Sequence, residues 1–272
     1  MQERPLTYPL ALLWTLLATV MLVTLMQVTV LFRPAAATDI VNLGAVEALT
    51  FLGCTFALLR RYAPGRPARA ALGLRTTHPR LVVLGLALGL SLQIPAGSVR
   101  DFVERHAPTP DDVLLGRAAL LTPDTTWELV AILIVTACVA PLVEELWSRG
   151  AVYGALCRSY PVGGAAGMTA ICFVMVHVDW RNWPSLLIVA ATLAHLRTAS
   201  GSLLPGLGLH VVFNASTILA LFTGVSSVTR PLSFSLPVTI AGWTVTAVLV
   251  LLVQRVAKAS PEAAAARAED IA

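Results

Sequence analysis

Two adjacent carboxylates and a guanidinium, Glu144, Glu145 and Arg149, stand inside the otherwise apolar stretch Pro141-Leu142-Val143-Glu144-Glu145-Leu146-Trp147-Ser148-Arg149-Gly150. An ionised group at hydrocarbon depth is costly, so such groups must be paired, held in a polar cavity, or both. On a helix Glu145 and Arg149 fall on one face, four residues apart, with the acid on the N-terminal side, the favourable order for an ion pair. Glu144 lies about 100° further round the helix and is left without that partner. An unpaired acid in lipid is a functional-site candidate, and a positioned carboxylate is a group that can draw a proton from water.

Two more polar sites interrupt apolar runs. Phe173-Val174-Met175-Val176-His177 puts an imidazole at the end of one, and His210-Val211-Val212-Phe213-Asn214 puts an imidazole and an amide on one helical face of another. With a turn near residues 160–161, Glu144 and His177 each lie about 16 residues from it, so antiparallel helices bring them to one height. His210 and Asn214 come out lower, about 12 to 18 Å from that side if their helix begins near residue 202. Tilt, or different helix ends, must close that gap. Glu145 with Arg149 is expected to serve as a scaffold pair, and Glu47, Asp179 and His195 to have structural parts.

The elements that position these groups follow from composition. Of 272 residues, 57% are hydrophobic and only 12% charged, about half the charged share of a soluble domain. The net charge of +4 is scattered between apolar runs rather than gathered in a patch, so no nucleic-acid partner is expected. Cys54, Cys138, Cys157 and Cys172 all fall in apolar runs without a Cys-x-x-Cys pair and read as small buried hydrophobes.

Apolar runs cover residues 8–32, 40–59, 81–97, 127–160, 161–178, 184–199, 202–223 and 236–253. The expected fold is all-α, a polytopic integral membrane helical bundle of about eight transmembrane helices. The first run is too long for a signal-peptide core and reads as a retained span. Residues 98–126 read as an extramembrane loop with room for a short amphipathic helix, and Gly163, Gly164 and Gly167 as points of close helix approach. The chain reads as a single membrane domain, 1–272, with a motif-bearing core at 127–223 and a cytoplasmic tail at 254–272, of which the Ala/Glu/Arg stretch from Ser260 onward reads as a frayed helix. Eight spans put both termini on one side, which receives about twelve basic residues against about six, so the termini are expected in the cytoplasm. The Arg- and Ala-rich composition, with Lys258 the only lysine, points to a bacterial plasma membrane.

Taken in order, Glu144-Glu145-x-x-x-Arg149-Gly150, Phe173-x-x-x-His177 and His210-x-x-x-Asn214, each in its own apolar run, resemble the CPBP (Abi) family of intramembrane proteases. That family groups type II CAAX prenyl endopeptidases with bacteriocin-processing and immunity proteins. Leu196-Arg197-Thr198-Ala199-Ser200-Gly201-Ser202-Leu203-Leu204-Pro205 is similar to the family's run before its last motif. Each motif alone is weak, and the three in order are specific. Ser148 stands where an aromatic is common and His195 where a Tyr is usual, departures that bear on substrate preference.

The resemblance implies an endopeptidase hydrolysing a peptide bond of a membrane-associated protein or peptide, with that substrate and the lipid bilayer as partners. Glu144 would be the general base, His177 would help hold the water, and His210 and Asn214 would donate to the oxyanion. Glu145 and Arg149 would support the turn that aims Glu144. On this favoured reading there is no cofactor. A zinc version would use Glu144, His177 and His210 as three ligands with an open fourth position, although His-Glu-x-x-His is missing. The non-enzyme alternative is a membrane interaction or immunity protein binding a peptide or partner helix, and a transporter is a third class.

Overall fold

The computed structural model describes residues 5–123, 125–227 and 233–271, and every regular element among them is helical. In chain order the main helices are α1 (Tyr8–Phe32), α2 (Ile40–Tyr62), α3 (Pro79–His106), α4 (Asp111–Leu121) and α5 (Thr126–Leu156). They are followed by α6 (Val162–Val176), α7 (Trp183–Ser200), α8 (Leu204–Phe222), α9 (Leu236–Ala259) and α10 (Pro261–Ile271).

All eight apolar runs fold as helices, but six of them (α1, α2, α3, α5, α8 and α9) are long and apolar enough to cross a membrane. At 15 residues, α6 is about 22 Å long, short of a hydrocarbon core about 30 Å thick. The other shortfall, α7, carries His195 and Arg197, which lower its apolarity. Large apolar side chains such as Leu13, Leu31, Phe56, Val83 and Leu236 point outward from these helices. A band of that kind is an aggregation surface in water and an ordinary solvent-facing surface in lipid.

Helix ends follow local chemistry. The Asp39 side chain accepts from the backbone N–H groups of Val41 (2.9 Å) and Asn42 (3.2 Å) at the start of α2, and Arg60 and Arg61 sit in its last turn. The polar stretch, read as a loop with room for a short amphipathic helix, is largely helical. α3 runs on to His106, supported by an Asp101–Arg105 pair at 3.3 Å, and Glu104 caps the following turn by accepting from Thr109 N at 2.6 Å.

The tightest helix crossing lies between α3 and α8. A Cβ added at Gly89 would fall 2.5 Å from the Leu209 carbonyl oxygen, and one at Gly85 would run into the Pro205 carbonyl. Gly85 and Gly89 form a Gly-x-x-x-Gly face that seats α8 backbone against backbone, and with it His210. By contrast, an added Cβ at Gly163 or Gly167 meets nothing within 4 Å, and one at Gly164 meets only the Tyr8 side chain. Gly89→Leu is therefore expected to destabilise the bundle by about 1–3 kcal/mol through overpacking. Its unfolding midpoint in detergent should fall, while Gly163→Ala leaves it unchanged.

The connection from α7 to α8 is buried. Gly201, with φ of 66°, ends α7 in a left-handed turn, and Ser200, Ser202 and Leu203 are sealed inside the protein. Ser202 Oγ donates to the Arg75 carbonyl (2.6 Å), and Leu203 N–H donates to the Gly73 carbonyl (3.0 Å). The tail beyond Ser260 is a helix, as its composition implied, but a docked rather than a frayed one. α9 continues to Ala259, and α10 packs back on the bundle with Ala263 and Ala266 buried and Arg267 Nη1 donating to the Ala199 carbonyl at 2.5 Å. The four cysteines are free thiols, with Cys138 exposed and the other three buried.

Candidate active site

α5 carries the first motif and is not a uniform α-helix. It widens into π-helical turns at Val135–Val139 and Leu146–Val152, leaving a short α-helical segment at Ala140–Glu145 between them. Pro141 has no N–H to offer, and the preceding turn relaxes so that the Ala140 N–H reaches the Val135 carbonyl, five residues back. In the second wide turn Ser148 Oγ donates to the Glu144 carbonyl at 2.6 Å. Glu144 and Glu145 therefore sit on a short α-helical segment between two wider ones.

Glu145 and Arg149 form the ion pair that their four-residue spacing allows. Arg149 Nη1 donates to Glu145 Oε1 at 2.8 Å, with both side chains 1% exposed or less. Arg149 also donates to the Ser148 hydroxyl (3.1 Å) and the Ala190 carbonyl on α7 (3.1 Å). Its guanidinium carbon lies 4.2 Å from the centre of the Phe173 ring. The same ring is 5.0 Å from His177 and 5.7 Å from His210, so Phe173 packs three of the polar groups at once.

His210 stands between the two glutamates. Its Nδ1 is 3.2 Å from Glu145 Oε1 and its Nε2 is 3.6 Å from Glu144 Oε2, just beyond direct hydrogen-bond range. A carboxylate bound to Arg149 only accepts, so Nδ1 carries a proton and Nε2 is left towards Glu144. His210 is thus level with Glu144 rather than below it. The expected gap disappears because α8 starts inside the bundle, at the buried Ser202–Leu203 turn, and not at the level of the turn near residue 160.

His177 follows the last turn of α6. Its Nδ1 donates to the Phe173 carbonyl at 2.9 Å, so Nε2 is left without that proton, and its own carbonyl accepts from Trp183 Nε1 at 2.5 Å. Asp179 holds the loop beyond it, accepting from the Arg181 N–H (3.1 Å) and pairing with Arg117. Asn214 points elsewhere with one of its donors: Nδ2 donates to the Thr136 carbonyl at 2.8 Å, in the first wide turn of α5. Glu144, Glu145, Arg149 and His210 are thus drawn together directly, His177 joins them through Phe173, and Asn214 braces α5 one turn away.

One group belongs here that the motifs did not include. The Glu47 carboxyl, on α2, lies within hydrogen-bonding reach of the Glu144 carboxyl and close to both His177 and His210. Its signal in the sequence was an acid in an apolar run with no basic residue within a helical turn.

Among the described residues no three His, Cys, Asp or Glu side chains are placed so as to share a metal ion. A cavity of about 210 Å³ opens beside His177, walled by Gln93, Leu186, Val189 and Phe213, with Arg100 also on its wall.

A family model described as type II CAAX prenyl endopeptidase Rce1-like matches residues 126–216, a stretch that contains all three motifs. The match covers about a third of the chain and supports a relation to the CPBP family and to protease activity in general. Neither the comparison with curated proteins nor that with solved structures returns a match.

Proposed function

We propose that this protein is an intramembrane endopeptidase in which Glu144 activates a water molecule against a peptide bond of a membrane-associated protein or peptide. The observation that carries this reading is the setting of Glu144. It is 12% exposed and faces His210 Nε2 at 3.6 Å, while the neighbouring Glu145 is committed to Arg149. A water within reach of both Glu144 and His177 Nε2 loses a proton to Glu144 as its oxygen attacks the carbonyl carbon. The carbonyl oxygen becomes an oxyanion. As it collapses the C–N bond breaks, and the proton held by Glu144 passes to the departing amine.

His210 can donate to that oxyanion from Nε2 only when the ring carries both protons, since Nδ1 is bound to Glu145. Asn214 has a second amide N–H beyond the one on Thr136. A well-placed donor of this kind contributes about 3–4 kcal/mol. The apolar cavity beside His177 supports a hydrophobic substrate segment. The protein would lie in a bacterial plasma membrane with both termini cytoplasmic, since six crossings or eight give the same parity.

The test uses the purified full chain in liposomes with a pool of quenched fluorescent peptides, each made with and without an S-farnesyl cysteine. Cleavage is expected, and the farnesyl arm separates prenylated from unmodified substrates. A protein that binds these peptides but never cuts them would be an interaction protein. Flux across vesicles that survives His177→Ala would mark a transporter. The route proposed here is metal-free, so cleavage should be unchanged after treatment with a chelator. Activity lost to the chelator and restored by zinc would overturn that route.

A further inference from the structure

Glu47 lies outside the three motifs, and the reaction just outlined does not use it. Two contacts fix the direction in which its stretch of α2 faces. Three residues before it is Gly44, where an added Cβ would fall 2.6 Å from Val135 Cγ1 in the first wide turn of α5. Four residues after it is Phe51, whose ring centre lies 5.3 Å from that of Trp147 in the second wide turn. Positions 44, 47 and 51 share one helical face. Glu47 is therefore held against the short segment between those turns, the one that carries Glu144, and the two carboxyl groups meet there.

Two carboxylates in contact can only repel, because neither has a hydrogen to give, whereas a carboxyl and a carboxylate form a strong hydrogen bond through one shared proton. The charges around the pair agree with one such proton. On α5 they are Glu145 and Arg149, after α6 His177, and on α8 His210. With His210 carrying both protons, as oxyanion donation requires, two positive groups (Arg149 and His210) face two negative units (Glu145 and the singly protonated Glu47–Glu144 pair).

We infer that Glu47 is a positioning residue for the reaction, a neutral carboxyl that donates to one oxygen of Glu144 and leaves the other aimed at water. This rests on the endopeptidase reading of Glu144. In the cycle the pair starts with one proton, gains a second when Glu144 takes it from the attacking water, and returns to one when Glu144 passes it to the leaving amine. The proton on Glu47 is never transferred to substrate.

The experiment compares wild type, Glu47→Gln and Glu47→Ala as full chains in an ester-free detergent, by infrared spectroscopy and by cleavage of the quenched peptides. Gln keeps an N–H donor to Glu144, so its kcat should stay within about threefold of wild type, while Ala should lose about tenfold in kcat at unchanged KM through misalignment. The infrared spectrum should contain a protonated-carboxyl carbonyl band in wild type that is lost in Glu47→Gln. An unaltered band in Glu47→Gln, no band in wild type, equal loss in Gln and Ala, or full kcat in Ala would each overturn the assignment. If wild type cuts no peptide, the endopeptidase reading and the positioning role fall together, and the infrared band still decides whether the pair exists.

Discussion

Replacing Glu144 with Gln lowers kcat by about 10²- to 10⁴-fold, the range a positioned general base contributes. The amide has the size and shape of the carboxyl, so the short Ala140–Glu145 segment and its contacts should survive. What is lost is the ability to take a proton from water at the one place where His210 faces a carboxylate that Arg149 has not claimed. The check pairs initial rates on the quenched peptides with the unfolding midpoint in detergent. A variant that unfolds like wild type and no longer cleaves supports the base role. Near-normal turnover by Glu144→Gln would sink it.

The second large effect is on stability. Arg149 is fully buried and holds Glu145, the Ser148 hydroxyl, the Ala190 carbonyl and the face of Phe173. Arg149→Met leaves Glu145 buried with only the His210 contact, and breaking a buried pair in this way costs about 3–5 kcal/mol. Glu145→Leu combined with Arg149→Met removes both charges and should recover much of that loss, because no lone charge is left behind. The double variant should nevertheless stay inactive, since His210 loses the acceptor that fixes its Nδ1. Unfolding of the two single variants and the double variant gives the coupling energy. Strict additivity would mean that the two groups do not depend on each other.

What could be read in the sequence was what repeats locally. The four-residue spacing of Glu145 and Arg149 fixes an ion pair on any helix, even one that widens just beyond it. Phe173 and His177 were linked by the same spacing, and their ring contact follows from it. Every apolar run announced a helix because lipid admits little else. What could not be read depends on depth and on distant partners. The level of His210 is set by a buried elbow, and nothing in a hydropathy pattern tells a buried turn from one at the surface. Glu47 meets Glu144 only after α2 has packed on α5, so its spacing within its own run carried no sign of the partner. The wide turns of α5 arise from a proline and from tertiary packing, and no periodicity marks them.

The buried elbow at Ser200–Leu203 bears on how the molecule is made. Hydrophobic segments enter the bilayer before they find one another. The hairpin of α7 and α8 must therefore arrive with a polar bend that does not yet meet its final neighbours. Those neighbours are the backbone at Gly73 and Arg75, already synthesised, and α10, which emerges after every motif residue. The bend is enclosed only when both have closed over it. A growing chain therefore carries every motif residue before its bend is enclosed, and on the endopeptidase reading the centre is completed only after the tail has been made.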